Sequence, residues 1–271
     1  MIPVGFSYER PTSVDGALAL LAEHGEDATV LAGGHSLLPV MKLRLAAPEL
    51  VIDIGRLGEL SYIRVDGDEV AIGSGTRHGV VETSEVVQAE VPLLSAVART
   101  VGDPQIRHRG TLGGSLAHAD PASDLPAAVL ALGGSVVLRS PRGTRTVPIT
   151  GFYTGVFSSV KEPDELIVEV RVPRTGSAGW AYEKFTRRAN DWAIVAVAAV
   201  DGRVGLVNMG PTPLRASATE AALADGASIA DAAALAAEGT DPPEDVAGTK
   251  EYRRHLARVL TRRALTTAAG G

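Results

Sequence analysis

Cysteine is absent from the 271-residue sequence. Disulfide bonds, thiolate catalysis, thiolate zinc sites and cysteine-ligated iron–sulfur clusters are therefore excluded within this chain. No apolar run approaches the roughly 20 residues that cross a bilayer, and residues 1–6 lack the basic and apolar regions of a signal peptide. These absences lead us to expect a cytoplasmic protein without a transmembrane segment.

Charge of one sign is not concentrated anywhere either. The chain has 26 basic and 32 acidic residues, which are spread along its length and give a net charge of −6. A mildly acidic protein without a basic block is a poor binder of nucleic acid or of anionic membranes. Apolar residues make up 45% of the chain, which is ordinary for a globular protein of one large or two modest domains.

The order of predicted elements indicates the fold class. Strands and helices occur without regular βαβ alternation, which favours an α+β fold. Period-two patterns predict strands at 28–31, 50–54, 136–139, 144–149 and 166–172, a hairpin over 62–76 and a meander over 181–207 with a tight turn at Asp201-Gly202. In the strand at 166–172, strict alternation places the residues at 166, 168, 170 and 172 on one face. Helical patterns predict helices at 14–24, 78–102, 123–132, 216–224, 229–237 and 251–264, the first of them capped by Ser13 and ended by Gly25. We expect a long loop over 102–124, and the polar, Gly/Pro-marked segment 173–179 predicts a domain boundary.

The first chemical signal is the segment Ala32-Gly33-Gly34-His35-Ser36, which directly follows an apolar strand. Consecutive glycines let backbone N–H groups approach an anion closely, and Ser36 adds a hydroxyl donor. The segment has neither the G-x-G-x-x-G dinucleotide fingerprint nor a Walker A lysine, and we expect no helix of suitable spacing to open here. Alone, such a turn is also compatible with a purely structural role.

A second glycine pair lies in the segment from Gly110 to Asp124, which is rich in Gly, Ser, Thr, His and Asp. Thr111 and Ser115 flank Gly113-Gly114, so backbone and hydroxyl donors are again combined. Two such loops predict a grip on the two phosphates of one pyrophosphate from opposite sides. The alternative is a pair of unrelated tight turns.

The two segments together resemble a known family. Residues 32–39, which read AGGHSLLP, and 103–115, which contain DPQIR and TLGGS, are similar to the FAD-binding medium subunit of aerobic carbon monoxide dehydrogenases. That group belongs to the xanthine dehydrogenase family of molybdenum hydroxylases. The stretches 41–44, 120–126 and 152–155 fit as well, and the similarity runs from Pro11 to Arg263. Ser115 stands where the family often has Asn, so a small hydrogen-bonding side chain is kept.

The resemblance implies a fold and a set of cofactor-binding residues. It implies a PCMH-type FAD-binding domain of two α+β subdomains, which we place at 1–175 (about 1–56 and 57–175), and a smaller α+β C-terminal domain at 176–271. It assigns the pyrophosphate to both glycine loops, further cofactor contacts to Asp124 and Lys184, and stacking on the flavin to Trp192. The predicted FAD-binding residues are Ala32, Gly33, Gly34, His35, Ser36, Leu37, Thr111, Leu112, Gly113, Gly114, Ser115, Asp124, Lys184 and Trp192.

The resemblance also implies partners. In such enzymes a large molybdopterin subunit oxidises the substrate, a small subunit with two [2Fe–2S] clusters passes the electrons on, and FAD delivers them to an external acceptor. We therefore expect an electron-transfer flavoprotein, assembled as a dimer of heterotrimers, whose only contact with the inner face of a membrane is through partners. A stand-alone FAD-dependent oxidase or reductase and a non-enzymatic nucleotide-binding scaffold are the alternatives.

Several single residues leave alternatives open. His35 invites a covalent flavin link, but the resemblance implies non-covalent FAD. His118 lacks the helical histidine pair of a zinc protease, and we interpret it as a hydrogen-bonding loop residue rather than a metal ligand. For Arg107 and Arg109 three roles are open: contact with a phosphate, contact with a partner subunit, or exposure to solvent in the loop. The arginines of the last helix are interpreted as a solvated face, with a subunit contact as the alternative: Arg253, Arg254, Arg258, Arg262 and Arg263.

Overall fold

The computed structural model describes residues 1–270 and contains three main sheets. The first is a parallel sheet of order β1-β3-β2, formed by β1 (Ser7–Glu9), β2 (Ala28–Leu31) and β3 (Leu50–Asp53). Helix α1 (Val14–His24) packs on it, capped by the Ser13 hydroxyl and ended at Gly25, as predicted. Helix α2 (Leu37–Lys42) follows the first glycine turn at once, so the expectation that no helix opens here is wrong.

The second sheet is antiparallel and has the order β4-β5-β10-β6-β7. Its strands are β4 (Ile63–Asp66), β5 (Glu69–Gly73), β6 (Ser135–Ser140), β7 (Gly143–Pro148) and β10 (Leu166–Pro173), and a separate small hairpin is formed by β8 (Tyr153–Gly155) and β9 (Ser158–Ser159). The helices of this region are α3 (His78–Thr83), α4 (Glu85–Glu90), α5 (Pro92–Arg99), α6 (Pro104–Arg107), α7 (Leu112–His118) and α8 (Asp124–Leu132).

The third sheet is an antiparallel meander of order β11-β12-β13-β14. It comprises β11 (Trp180–Phe185), β12 (Val195–Val200), β13 (Arg203–Val207) and β14 (Leu214–Arg215), followed by α9 (Ser217–Ala224), α10 (Ile229–Ala234) and α11 (Lys250–Gly270). The predicted turn at Asp201-Gly202 is confirmed, and both residues have positive φ. The predicted boundary at residue 175 lies between β10 and β11.

Helix α8 joins the second sheet to the third. All nine of its residues are buried, because β12 and β13 cover one side and α5 the other. Gly205 in β13 has no side chain, and a Cβ atom there would clash with the carbonyl oxygen of Ala127 in α8. The main core accordingly contains Ala198 and Val200 from β12 together with residues of the second sheet.

Two predictions of local structure are wrong. The segment predicted as a loop over 102–124 contains α6 and α7, because Asp103 and Thr111 each accept a hydrogen bond from a backbone amide of the following turn. In β10, a bulge between Ile167 and Glu169 interrupts the strict alternation. Leu166 therefore packs in the core of the first sheet, whereas Ile167 and Val170 pack in the main core.

The last helix also differs from its prediction. It extends to Gly270, and Arg253 on it is fully buried rather than solvated. Arg254 and Arg258 donate to the backbone carbonyls of Thr240 and Ala234. Within residues 1–270, no helix is long and apolar enough to cross a membrane.

Candidate functional site

One cleft of about 640 Å³ brings the two glycine turns together. It is lined by residues of all three sheet regions, and the predicted site residues among them are Ala32, Gly33, Gly34, His35, Ser36, Leu37, Thr111, Gly113, Gly114, Ser115, Asp124, Lys184 and Trp192. Leu112 is the exception, because its side chain is fully buried in the main core. The two glycine turns are about eighty residues apart in sequence, and only tertiary packing brings them into one cleft.

The first turn leaves its backbone donors free. Gly34 has φ of +81°, a conformation that favours glycine, and the helical bonding of α2 begins only with the amide of Leu38, which donates to the Gly34 carbonyl over 3.1 Å. Within residues 1–270, the amides of residues 33–36 have no hydrogen-bond acceptor. They are therefore available to an anion in the cleft.

Close backbone packing fixes the first turn against the second. A Cβ atom on Gly33 would clash with the carbonyl oxygen of Arg109 and would lie 2.8 Å from the Cα atom of Gly110. The guanidinium of Arg77 spans the same junction, since it donates to the carbonyl oxygens of Gly55, over 3.0 Å, and of Arg109. Sequence reasoning missed Arg77, because a lone arginine before a short helix carries no distinctive signal.

The second turn uses its backbone donors internally. The amides of Leu112 and Gly113 donate to the carbonyl oxygens of Thr76 and Ser74, over 3.0 and 2.9 Å. The amide of Gly114 donates to the Thr111 hydroxyl over 3.1 Å, and that of Ser115 to the Thr111 carbonyl. The expectation that this loop offers backbone donors from residues 112–115 is therefore wrong. Its remaining donors are the hydroxyls of Thr111 and Ser115, two residues that line the cleft.

These features fit a bound diphosphate. The free amides of the first turn and the hydroxyl-bearing residues Thr111 and Ser115 line the same cleft, and the absence of a Cβ atom at Gly33 lets the two turns pack closely together. His78 supports the second turn from below, since its ring edge would lie 2.6 Å from a Cβ atom on Gly110. Burial lowers the pKa of His78 to about 4, and Coulomb interactions with the nearby His35 and Arg77 side chains act in the same direction, so the ring of His78 is neutral at pH 7.

A buried polar cluster lies in the same cleft. The ammonium of Lys184 donates to Asp124 over 2.7 Å and to the carbonyl of Thr100 over 3.1 Å, and the hydroxyl of Tyr182 donates to the other Asp124 oxygen over 2.5 Å. Burial raises the pKa of Asp124, and the neighbouring ammonium of Lys184 acts against this rise. Burial also raises the pKa of Tyr182 well above its usual value. Lys184 therefore enters the cleft as half of a neutral ion pair rather than as an isolated cation.

Trp192 lies at the edge of the cleft, in the loop between β11 and β12. Its side chain is 59% exposed, and its neighbours Asn190 and Asp191 also line the cleft. An indole held at an open cleft offers a flat surface for an aromatic ring.

The residues left open by the sequence have specific contacts. Arg107 forms a salt bridge with Glu82 over 2.7 Å and donates to the carbonyl oxygens of Val101 and Gly102, so its role is structural. The ring of His118 packs against Phe157 with 5.0 Å between centroids. Across residues 1–270, no group of three or more His, Asp or Glu side chains could hold a metal ion.

Two family models match the sequence. The model described as the FAD binding domain in molybdopterin dehydrogenase matches residues 4–175. The model described as the CO dehydrogenase flavoprotein C-terminal domain matches residues 180–268.

Named relatives match over nearly the whole chain. The carbon monoxide dehydrogenase medium chain of Hydrogenophaga pseudoflava is 43% identical, covering 99% of this chain and 98% of its own length. The caffeine dehydrogenase subunit beta of Pseudomonas sp. (strain CBB1) is 39% identical, covering 99% and 96%. The structure of H. pseudoflava carbon monoxide dehydrogenase lacking the Mo-pyranopterin moiety superposes with a TM-score of 0.95 at 45% identity, over 100% of this chain and 99% of that one. The chain therefore belongs to the family of FAD-binding flavoprotein subunits of molybdopterin dehydrogenases, which includes the carbon monoxide dehydrogenase medium chains.

Proposed function

We propose that this chain carries FAD as the electron-transfer subunit of a molybdenum hydroxylase complex. In this role it takes electrons from [2Fe–2S] clusters in a small partner subunit and passes them to an external acceptor. A large molybdopterin subunit oxidises the substrate, and the complex is a dimer of heterotrimers. When bound, FAD supplies a group that exchanges one or two electrons.

The meeting of the two glycine turns in one cleft is the observation that carries this proposal. The free amides of residues 33–36 and the hydroxyls of Thr111 and Ser115 would hold the diphosphate. Trp192 would stack on the flavin, and the pair of Lys184 and Asp124 would bind polar atoms of the cofactor. The protein's contribution is thus binding, orientation and electrostatic tuning.

Two further observations support a subunit role. The chain has no cysteine, so iron–sulfur clusters must reside in another chain. Relatives of 43% and 39% identity are named for carbon monoxide and for caffeine, which supports a substrate site outside this chain. The substrate of this complex (carbon monoxide, a purine, an aldehyde or an N-heterocycle) and the acceptor (NAD, a quinone, oxygen or another carrier) are left open by the residues described. A cytoplasmic location stays a prediction.

Copurification tests the proposal against a stand-alone FAD oxidase or reductase. The chain is tagged in its native host, and flavin, molybdenum and iron are quantified in the purified material. We expect FAD, molybdenum and iron together with two further polypeptides. An isolated yellow chain that turns over an organic substrate without metals would favour the stand-alone enzyme, which needs an acid or base beside the flavin.

A further inference from the structure

Asn208 occupies a special position at the end of β13. Its φ of +62° lies in the left-handed region, which few residues other than glycine and asparagine adopt. In this conformation the backbone amide of Asn208 donates to the carbonyl oxygen of Pro121 over 2.9 Å. Pro121 belongs to the short segment that leads into Asp124 at the start of α8.

The side chain of Asn208 bonds to a different segment, the loop that carries Trp192. Its amide nitrogen donates to the carbonyl oxygens of Ala193 and Ile194, over 3.0 and 3.3 Å. Ala193 directly follows Trp192 in the sequence. One residue therefore bonds both to the segment before the Asp124–Lys184 pair and to the end of the loop with the indole.

Arg253 donates to one of the same carbonyl oxygens, that of Ile194. It is 1% exposed, and its guanidinium donates to the carbonyl oxygen of Ile194 over 2.5 Å and to Asp245 over 2.7 Å. Ile194 in turn donates its amide to Phe185 and closes the hairpin. The base of the loop is thus fixed, whereas residues 187–190 are exposed.

We propose that Asn208 is a positioning residue for Trp192, which sets the indole at a fixed place relative to the Asp124–Lys184 pair in the cleft. The argument for flavin stacking rests on the proposed function, but the tethering of the loop does not. Without the Asn208 amide, the carbonyls of Ala193 and Ile194 lose a donor each, and the end of the loop is held by the bonds of Ile194 to Arg253 and to Phe185. The indole then samples more orientations.

Asn208→Gly is the sharpest variant, because glycine adopts positive φ and keeps the amide that bonds to Pro121. Asp201→Gly is the matched control, since Asp201 also has positive φ, at the other end of β13, and lies in an exposed turn. The first measurement is trypsin cleavage of the full chain without FAD, mapped at Arg187 and Arg188. We expect cleavage there to be about tenfold faster in Asn208→Gly, as fits the loss of one or two hydrogen bonds, and unchanged in Asp201→Gly.

The second measurement is flavin fluorescence in FAD-loaded protein, because a stacked indole quenches it. Asn208→Gly should raise the flavin emission toward the higher level expected for Trp192→Leu. The double variant should have the same emission as Trp192→Leu alone. Cleavage and emission unchanged in Asn208→Gly would overturn the positioning role. A wild-type chain that binds no FAD, or a Trp192→Leu variant with unaltered emission, would instead count against the proposed function, while the cleavage measurement still decides the tether.

Discussion

The two glycine turns line the same cleft but are built in opposite ways. The first, at Gly33-Gly34, leaves its amides unbonded and follows a short parallel strand. The second, at Gly113-Gly114, forms the first turn of α7, and its amides donate hydrogen bonds to Ser74, Thr76 and Thr111. Similar sequence patterns therefore serve different ends. The first turn has amides available to a ligand, whereas the amides of the second turn stabilise the fold.

The largest difference is expected where the second turn leads into the buried ion pair. Lys184→Met leaves Asp124 buried and unpaired, and breaking such a pair costs about 3–5 kcal/mol. The pKa of Asp124 is already raised by burial, so its carboxyl holds a proton more tightly in the folded than in the unfolded state. Stability due to this group falls as the pH rises through the folded pKa of Asp124, so the loss in Lys184→Met grows with rising pH. Urea unfolding of the parent and of Lys184→Met over a range of pH measures this loss.

Lys250→Met provides the control for that prediction. Lys250 pairs with Asp241 at the surface, where both side chains are well exposed, and such pairs contribute about 0–1 kcal/mol. Equal destabilisation by Lys184→Met and Lys250→Met would show that the Asp124–Lys184 pair contributes no more to stability than an exposed salt bridge.

The histidines of the two turns sharpen the comparison next. Buried His78 has its pKa lowered to about 4, below the ordinary value of about 6.5. The unfolded chain binds this proton first, so stability is lost as pH falls between those values, at about 1.4 kcal/mol per pH unit and about 3 kcal/mol in all. Unfolding free energies of the parent and of His78→Gln should converge as the pH falls from about 7 to about 4. His35→Gln removes an exposed imidazole from the first turn and is the matched comparison.

Gly33→Ala tests whether the first turn binds the ligand. The new Cβ atom meets backbone atoms of Arg109 and Gly110, so the turns must move apart. Overpacking of this kind costs about 1–3 kcal/mol, and we expect FAD affinity, measured by fluorescence titration, to fall by about 10- to 100-fold. Gly58→Ala is the control, because a Cβ atom there has no neighbour within 4 Å. Unaltered FAD affinity in Gly33→Ala would contradict the assignment of the first turn.

The smallest expected effect is a difference in stability between variants of two hydroxyl residues, Thr111 in the second turn and Ser36 in the first. Thr111 caps α7 through its side chain, whereas Ser36 makes no side-chain capping bond. Thr111→Val should lower the free energy of unfolding by about 1 kcal/mol, and Ser36→Ala should leave it within about 0.5 kcal/mol. Both should weaken FAD binding. If Ser36→Ala proved the more destabilising in thermal unfolding, the contrast between the turns would fail.

Local signals explain what the sequence predicted well. The cap at Ser13, the turn at Asp201-Gly202 and the alternating strands of the meander depend on neighbouring residues, and all are present in the structure. The cleft-lining residues were found through the glycine pairs and the family resemblance. Their roles with FAD stay predictions.

Tertiary contacts explain what the sequence missed. Arg253 was predicted to be solvated, but it is buried and bonds to the carbonyl of Ile194. The two residues are about sixty positions apart, a separation that no local sequence pattern reports. Arg77 acts through carbonyl oxygens of Gly55 and Arg109, which composition cannot place. Helices α6 and α7 were hidden because glycine and proline suggested a loop, although Asp103 and Thr111 carried capping signals.

Helix α8, buried on every side, also limits how this protein can be recombined. The C-terminal segment cannot be exchanged with that of a relative as a free-standing module, because Gly205 lies directly against the backbone of Ala127 in the preceding segment. A chimera joined near residue 175 would need a donor that keeps a glycine at that contact, because the two halves form one packing unit.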